Sequence, residues 1–463
     1  MSRTMGALAV PRVLRLGALA VLEALVAAAP GQAQNNNNAG NVAVVNRVGG
    51  IQVNVEGVVS RLEDSGRIPL RDELRKMHAK PGGELSGKTE VRMVSLRGLE
   101  AAVKEAKQPV AEQLPDELRF LAGLQRIQYV FVYPEENDIV LAGPGEGWHV
   151  DDRGAIVGVT TGRPVLRLED LLVALRTVES ARQGGITCSI DPTPEGRQRL
   201  EALLSQQTQY SNNVLAAIRK AVGPQTITVT GVPPESHFAR ILVSSDYHMK
   251  RIGMKLDPSP VKQLPSFVDI LKQENAPLDN MMPRWWMACD YQPLGRSADG
   301  LAYELRGRGV KVLTEEEVAD ADGKVSAAGR TNSAAQKWAD LMTRHFDELA
   351  SKEASFGELR NLMDMCVVAA LITKEGLLAK ADCQLPTLTA ASSPLGYAAL
   401  QPAKTVETQV SSLKRGREYI ITASGGVEIS SWQAAEKTEL SSTVGQVRQK
   451  VRPTTKVSRA WWN

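Results

Sequence analysis

Residues 233–256, near the middle of the chain, constrain the fold more than any other stretch. Read as a helix, they place a broad apolar stripe on one face, with the i, i+3, i+4, i+7 spacing of a buried helix. A second, narrower strip of Val243, Tyr247 and Met254 lies on the opposite side. Ser236 is a suitable N-cap. Because the helix is apolar on two sides, the pattern predicts a helix that is covered from two directions and lies inside the fold.

A polar flank of this helix carries two of the five histidines. His237 and His248 are eleven residues apart, which at ~1.5 Å rise per residue separates them by about 16 Å, too far for one metal ion to bridge. Each histidine therefore either joins a separate site with residues from elsewhere, or bonds a neighbouring loop or water. His237, His248 and Arg251 are candidates for ligand contact. On the other flank Asp246 and Lys250 have the i, i+4 spacing of an ion pair.

The composition is that of a globular protein. The chain has 463 residues, of which 43% are hydrophobic and 23% charged, enough for two or three domains or one elaborate one. Of the formal net charge of +3, the first 33 residues carry +2, so the remainder is close to neutral. Nucleic-acid-binding proteins usually carry a marked basic excess. The charge therefore argues against nucleic acid as a partner.

The first 33 residues have the order of a secretory signal peptide: arginines up to Arg15, an apolar segment at 16–29, then small residues at the cleavage position. Glu23 weakens the apolar segment, and an uncleaved anchor or a wrongly assigned start codon are the alternatives. An asparagine-rich polar linker at 34–41 follows. No later apolar run reaches the ~20 residues of a membrane span. We therefore expect an exported protein, periplasmic or at the cell surface, without a membrane span after signal cleavage.

The four cysteines are too few for a disulfide scaffold. Cys366 and Cys383 are nearest in sequence and are either a disulfide pair or, for Cys366 in its apolar run, a core residue. No C-x-x-C motif occurs and the spacings match no zinc template, so no metal site is predicted. The glycine-rich run at 143–147 fits neither a Walker loop nor a dinucleotide fingerprint, so no cofactor is predicted.

Short β patterns alternate with helical patterns along the rest of the chain. The alternation at 127–133, followed by a turn and the apolar run 139–142, predicts a β-hairpin. Three β patterns within 285–313 predict an antiparallel meander. Two more within 418–431 predict a strand pair joined through Gly425 and Gly426. The expected fold class is α+β, with mixed hairpins and helices around one main core, an αα-hairpin and C-terminal β-strands.

The same patterns suggest how the chain is divided after the linker. The predicted parts are a mixed α/β core at 42–320, an αα-hairpin at 331–383, C-terminal β-strands at 404–432 and a loose basic tail at 440–463.

A second group of candidate ligand-contact residues lies in the predicted meander. Asp290 follows a run of apolar residues, and a partly buried carboxylate there would suit acid/base chemistry. Trp285 and Trp286 are adjacent, so they point to opposite faces of a strand and only one can serve a given surface. Trp286 is the candidate for stacking on a sugar, and core packing is the alternative for either tryptophan.

A third group is a small basic cluster near a turn, formed by Lys414, Arg415 and Arg417. An anionic polysaccharide, phospholipid headgroups or a protein partner would suit it, and a solvated charged turn is the alternative.

Several short segments occur in an order that resembles a known family. They are Arg126-Ile-Gln-Tyr-Val-Phe-Val-Tyr-Pro134, Cys188-Ser-Ile-Asp-Pro192, Ser236-His-Phe-Ala239, Asp246-Tyr-His-Met-Lys250, Asp299-Gly-Leu-Ala302, Arg360-Asn-Leu-Met-Asp364, Lys414-Arg-Gly-Arg417 and Thr422-Ala-Ser-Gly-Gly426. With them the chain resembles an uncharacterised domain-of-unknown-function family of large exported planctomycete proteins. The likeness spans nearly everything after the asparagine tract. It implies export and planctomycete origin, but no activity, cofactor or catalytic residue.

Two expectations of function follow. The leading one is a non-catalytic exported structural or binding protein of the cell envelope, whose partner is an envelope protein or a polysaccharide. It is favoured because the sequence contains no metal-ligand set, cofactor loop or nucleophile elbow. The alternative is an envelope hydrolase with an active site assembled from dispersed residues. An open pocket joining His237 and His248 to Asp290 would favour the enzyme.

Overall fold

The computed structural model describes residues 47–78, 80–206, 214–273, 283–315, 317–319, 325–327, 332–415, 417–451 and 461–463. The signal peptide and linker predicted at 1–41 lie outside these residues, which all fall within one compact unit, Val42–Asn463.

The described residues form fifteen α-helices and twenty-one β-strands. The helices are α1 (Asp64–Met77), α2 (Leu96–Ala106), α3 (Asp116–Arg119), α4 (Leu168–Gly184), α5 (Pro194–Gln206), α6 (Val214–Val222), α7 (His237–Gly253), α8 (Phe267–Gln273), α9 (Ser333–Arg344), α10 (Phe346–Lys352), α11 (Ala354–Lys374), α12 (Leu377–Lys380), α13 (Pro386–Thr389), α14 (Ser431–Glu436) and α15 (Ser442–Lys450). The strands are β1 (Arg47–Val48), β2 (Ile51–Val53), β3 (Val58–Arg61), β4 (Thr89–Ser95), β5 (Tyr129–Tyr133), β6 (Asp138–Gly145), β7 (Trp148–Val150), β8 (Ile156–Gly158), β9 (Ile186–Pro192), β10 (Gln225–Thr230), β11 (Arg284–Asp290), β12 (Leu294–Arg296), β13 (Ala302–Glu304), β14 (Gly309–Glu315), β15 (Glu317–Ala319), β16 (Val325–Ala327), β17 (Thr405–Val406), β18 (Ser411–Arg415), β19 (Arg417–Ile421), β20 (Ser424–Ile429) and β21 (Thr438–Leu440).

Two large mixed sheets hold most of these strands. One has nine strands in the order β1-β2-β3-β17-β10-β9-β20-β11-β14, and the other has six in the order β21-β12-β13-β5-β6-β4. The predicted hairpin forms as β5 and β6, with Phe131 opposite Val140. Strand β20 joins the nine-stranded sheet parallel to β11, so the C-terminal strands complete a sheet begun much earlier in the chain. The predicted α+β class is confirmed.

The meander predicted within 285–313 is wrong. Strands β11 and β14 pair with each other in the nine-stranded sheet, whereas the intervening β12 and β13 belong to the six-stranded sheet. The chain returns between the sheets through Gly307, whose φ of +117° favours glycine and whose Cβ position would lie 2.4 Å from the Asp290 carbonyl oxygen.

The turn predicted at Gly425 and Gly426 is also wrong, because both residues lie inside β20. A Cβ on Gly425 would lie 1.9 Å from the Trp285 carbonyl oxygen, and one on Gly426 would lie 1.8 Å from that of Cys188. These glycines permit close approach of strands. The hairpin of this region is formed by β18 and β19 instead.

The helical and terminal parts also differ from the predicted pattern. The first helix expected in the αα-hairpin is divided at His345 into α9 and α10, while the second is α11. Within the segment predicted as a loose tail, residues 442–450 form α15. The amide of Ser95 on β4 donates to the Trp461 carbonyl oxygen over 2.8 Å, so the final described residues pack along an edge strand.

Helix α7 forms the centre of the fold. The Ser236 hydroxyl caps it by accepting from the Ala239 amide at 3.1 Å, as predicted. Every residue of α7 except Arg251 is buried. The helix packs on α4 and α11 on one side and on β9 and β20 on the other. The prediction of a helix covered from two directions is confirmed.

A buried ion pair attaches α7 to the nine-stranded sheet. The Lys250 ammonium donates to Asp246 Oδ2 at 2.9 Å and to the carbonyl oxygens of Ile190 and Gly425 at 2.8 and 3.0 Å. The two charged side chains are 2% and 0% exposed. Burial raises the pKa of Asp246 to about 7, against the opposing effect of Lys250. The pair therefore links one helix to two strands, β9 and β20.

All four cysteines are free. Burial raises the pKa of each thiol above its usual value. Cys366 is a core residue of α11, one of the two alternatives that the sequence left open. Within the described residues, no helix is long and apolar enough to cross a membrane.

We predict that Lys250→Met lowers the free energy of unfolding by about 3 kcal/mol at pH 8, because Asp246 must then either stay charged without a partner or take up a proton. Urea denaturation measures the loss. Lys352→Met is the matched control: Lys352 has the same i, i+4 spacing to Glu348, but the two side chains are 46% and 39% exposed, so about 0.5 kcal/mol or less is expected. Equal losses in the two variants would contradict the prediction.

Candidate functional site

A cavity of about 190 Å³ lies between the β1–β2 turn, α1 and the N-terminal ends of α4, α7 and α11. One water molecule needs only ~15 Å³ on this measure, so the cavity has room for a small organic molecule. Five arginines, four glutamates and three histidines line it, alongside apolar side chains. The three histidines are His78, His237 and His248. Such a convergence of titratable groups in a cavity is typical of a binding or active site.

His237 and Asp170 form a buried pair at this cavity. Asp170 lies in the first turn of α4 and His237 is the first residue of α7. The Nδ1 atom of His237 is 3.0 Å from each carboxylate oxygen of Asp170. Its Nε2 atom is buried and has no hydrogen-bond partner among the described residues. An ionised carboxylate only accepts, so Nδ1 carries the proton and Nε2 keeps a lone pair that can accept one.

The protonation of this pair changes near neutral pH. Burial, with a smaller contribution from Arg167, lowers the pKa of His237 to about 4. Burial raises the pKa of Asp170 to about 7, against the opposing charge of Arg167. Two groups in direct contact titrate as a pair. The pair therefore holds one additional proton below about pH 7 and releases it above that pH, which leaves Nε2 free to accept.

Carboxylates and arginines surround the pair. Nη1 of the half-buried Arg167 lies 3.2 Å from Glu169, and its Nε lies 3.6 Å from Glu358. Burial raises the pKa of Glu358. Burial and the charge of Glu169 raise the pKa of Glu112 to about 7, although Glu112 accepts a 2.8 Å hydrogen bond from the Ala398 amide. Glu112 is therefore a proton donor at or below neutral pH, at the same cavity as the proton-accepting His237.

The other two histidines are held by their neighbours. His78 Nδ1 is 2.9 Å from Asp116 Oδ1, and its ring meets Phe120 edge-on at 5.2 Å. His248 Nε2 donates to the Gly49 carbonyl oxygen at 3.0 Å, and the Ser244 hydroxyl donates to the same oxygen. These two bonds attach the β1–β2 turn, one wall of the cavity, to α7.

The structure brings two of the predicted site residues, His237 and His248, to the cavity. Arg251 lies outside its lining and pairs with Asp257 through Nε at 2.7 Å and Nη2 at 3.0 Å. Asp290 lines a different, open pocket with Arg126 and other residues. This pocket and the cavity share no lining residue.

The two adjacent tryptophans and Lys414 are not part of the cavity lining. Trp285 is fully buried and packs on Trp338 with ring centroids 4.2 Å apart. Trp286 is half-buried on the opposite face of β11, and the Arg284 guanidinium lies 4.4 Å from its ring centroid. Lys414 is exposed on β18. The side chains of Arg415 and Arg417 lie outside the described part.

Sequence reasoning missed Asp170, Glu112 and the ion pairs of Arg167 with Glu169 and Glu358. The signal that was present is the run Arg167-Leu-Glu-Asp-Leu-Leu-Val-Ala-Leu175, in which charges interrupt an otherwise apolar helix start. Acidic residues are common in the first helical turn, where they complement the helix dipole, so the run reads as an ordinary helix start. No local sequence pattern connects this run with Glu112 or His237.

Within the part of the chain that the structure describes, no group of three or more His, Cys, Asp or Glu side chains is placed to hold a metal ion.

Comparison with known protein families finds a similarity in the central part of the chain. The model of a family described as "Protein of unknown function (DUF1598)" matches residues 188–267. This region runs from β9 to the first residue of α8 and includes all of α7, so the chain is similar to that family over its central helix and two cavity histidines. No curated protein and no solved structure is significantly similar to the chain.

We predict that Glu112 makes stability depend on pH. In the folded state it keeps its proton up to about pH 7, whereas the unfolded chain releases it near 4.5. Its stabilising contribution is therefore complete below pH 4.5 and is lost as the pH rises through 7. The free energy of unfolding of the wild type, compared with that of Glu112→Gln, should therefore fall by on the order of 1 kcal/mol when the pH is raised from below 4.5 to above 7.

Urea denaturation of both proteins at pH 4.5 and pH 8 measures this difference. Glu105→Gln is the matched control, because it makes the same change at an exposed position of α2. A wild-type minus Glu112→Gln difference that stays constant across pH would contradict the prediction.

Proposed function

We propose that the protein is an exported hydrolase of the cell envelope, with this cavity as its active site and His237 as general base. One observation carries the proposal: His237 is held at Nδ1 by Asp170, while its buried Nε2 has no partner among the described residues at the wall of a cavity. Buried polar groups are nearly always hydrogen-bonded, so an unpartnered ring nitrogen in a cavity indicates a role toward a bound molecule.

In the proposed reaction, His237 Nε2 takes a proton from a water molecule as the water oxygen attacks an electrophilic carbon, such as an ester carbonyl. Asp170 keeps the ring in the correct tautomer and stabilises the imidazolium that forms. The protonated Glu112 gives its proton to the leaving oxygen. Transfer of the proton from His237 back to Glu112 through solvent restores both groups.

Arg119 is the candidate for stabilising the negative charge that develops on the attacked oxygen. It lines the cavity, and its Nε is buried without a hydrogen-bond partner among the described residues. A fixed cationic donor in a site that excludes water is worth more to a developing oxyanion than the same group in water.

A non-catalytic exported structural or binding protein of the envelope is the second candidate. The observation that favours it is that the described lining of this cavity contains no serine, threonine, cysteine, lysine or tyrosine, so the cavity offers no hydroxyl, thiol or amine nucleophile. Its partner would be an envelope protein or a polysaccharide, with Trp286 and Lys414 as outer contacts.

Export and planctomycete origin are part of the proposal and rest on the signal-like N-terminus and the resemblance described above. Fractionation of the native cells tests export: recovery without residues 1–33, in the periplasm or at the surface, is expected. Recovery of the full-length chain in the cytoplasm would contradict it.

We predict that the protein hydrolyses 4-nitrophenyl acetate and that His237→Gln lowers kcat by at least about 100-fold, the usual contribution of a general base. Because the base must be deprotonated and Glu112 protonated, the rate should be highest near pH 7 and fall on both sides.

Glu112→Gln should lower the rate and remove the decrease in rate above pH 7. His345→Gln, which lies outside the cavity lining, is the control. An unchanged rate in His237→Gln would reject the hydrolase and favour the binding protein.

A further inference from the structure

Helix α1 covers the cavity with apolar side chains. Leu62 and Leu70 form a small cluster with Leu74 outside the main core. Leu70, Leu74 and Met77 line the cavity, and Met77 is 52% exposed. Leu70 is 2% exposed, whereas Leu74 is half-buried and Met77 is exposed, so an apolar group in the cavity would complete the burial of Leu74 and Met77.

The cavity lining as a whole carries an excess of positive charge. Five arginines line the cavity against four glutamates, and one of the four, Glu112, is uncharged below about pH 7. Arg47 at the cavity has neither an ion pair nor a hydrogen bond from its guanidinium within the described residues. The Arg119 Nε likewise has no hydrogen-bond partner there. Two arginines therefore have capacity for a further acceptor.

We infer that the molecule bound in this cavity is an amphipathic anion, with an apolar chain against Leu70, Leu74 and Met77 and a carboxylate that pairs with Arg47 and Arg119. The identity of this molecule as the carboxylate product of the reaction rests on the proposed function, but its recognition does not. A neutral apolar molecule would leave the arginine groups desolvated without an acceptor, and a cation would be repelled by them.

Three probe molecules, tested with the full-length protein, separate the contribution of the apolar chain from that of the negative charge. Octanoate has the chain and the charge, propionate has the charge with a short chain, and octylammonium has the chain with the opposite charge. Isothermal titration calorimetry at pH 7 should show octanoate binding at least about tenfold more tightly than propionate, since each buried methylene contributes ~0.8 kcal/mol. Octylammonium should not bind. Octylammonium binding as tightly as octanoate, or propionate binding equally well, would overturn the inference.

Two single substitutions test which side chains contact the apolar chain and which contact the carboxylate. They carry little risk to folding, because Met77 is exposed and the Arg47 guanidinium has no partner among the described residues. Met77→Gln should weaken octanoate binding several-fold and leave propionate unchanged, whereas Arg47→Gln should weaken both. Ile68→Gln is the matched control, because Ile68 lies on the same helix, is 54% exposed and is not part of the cavity lining. Equal effects of Met77→Gln and Ile68→Gln on octanoate binding would overturn the placement of the chain.

The binding experiment and the hydrolysis experiment can fail independently of each other. Selective octanoate binding by a protein that does not hydrolyse 4-nitrophenyl acetate would retain the amphipathic anion and reject the hydrolase. Hydrolysis that depends on His237, with no preference for octanoate over the other probes, would retain the hydrolase and overturn the anion.

Discussion

The burial of α7 along almost its whole length is the constraint on which the rest of the structure depends. Lys250 ties the helix to β9 and β20, the Ser245 hydroxyl donates to the Ser355 carbonyl oxygen of α11 at 2.9 Å, and His248 holds the β1–β2 turn. Because sheet and helices cover it from both sides, each polar group on α7 must find its partner inside the protein.

Two buried atoms of α7 have no hydrogen-bond partner within the described residues, His237 Nε2 and Asp246 Oδ1, and of the two residues only His237 lines the cavity. Its Nδ1 is paired with Asp170, but its Nε2 is not paired within the described residues. Around it, Arg167, Glu169 and Glu358 are charged or titratable groups in a buried setting. Burying such groups is costly, and replacing them with apolar residues is often neutral or stabilising. We therefore attribute their presence at a cavity to the proposed chemistry on a bound molecule.

Whether a feature could be predicted from the sequence depends on how far apart in the chain the interacting residues lie. The central helix, its Ser236 cap and the Asp246–Lys250 pair were predictable because they depend on residues within one or two turns. The opposite orientations of Trp285 and Trp286 were predictable from strand alternation. By contrast, which sheet β12 and β13 join depends on pairing with distant strands, so the meander prediction failed. The partners of His237 come from separate segments and left no local pattern.

The tautomer of His237 tests the central claim most directly. ¹⁵N NMR of the imidazole nitrogens at pH 8, assigned by comparison with His237→Gln, distinguishes a protonated nitrogen from one with a lone pair. With Asp170 ionised at this pH, the ring should carry its proton on Nδ1 and a lone pair on Nε2. A ring protonated at Nε2, or at both nitrogens, would contradict the account, because Nε2 would then be unable to accept a proton in the cavity.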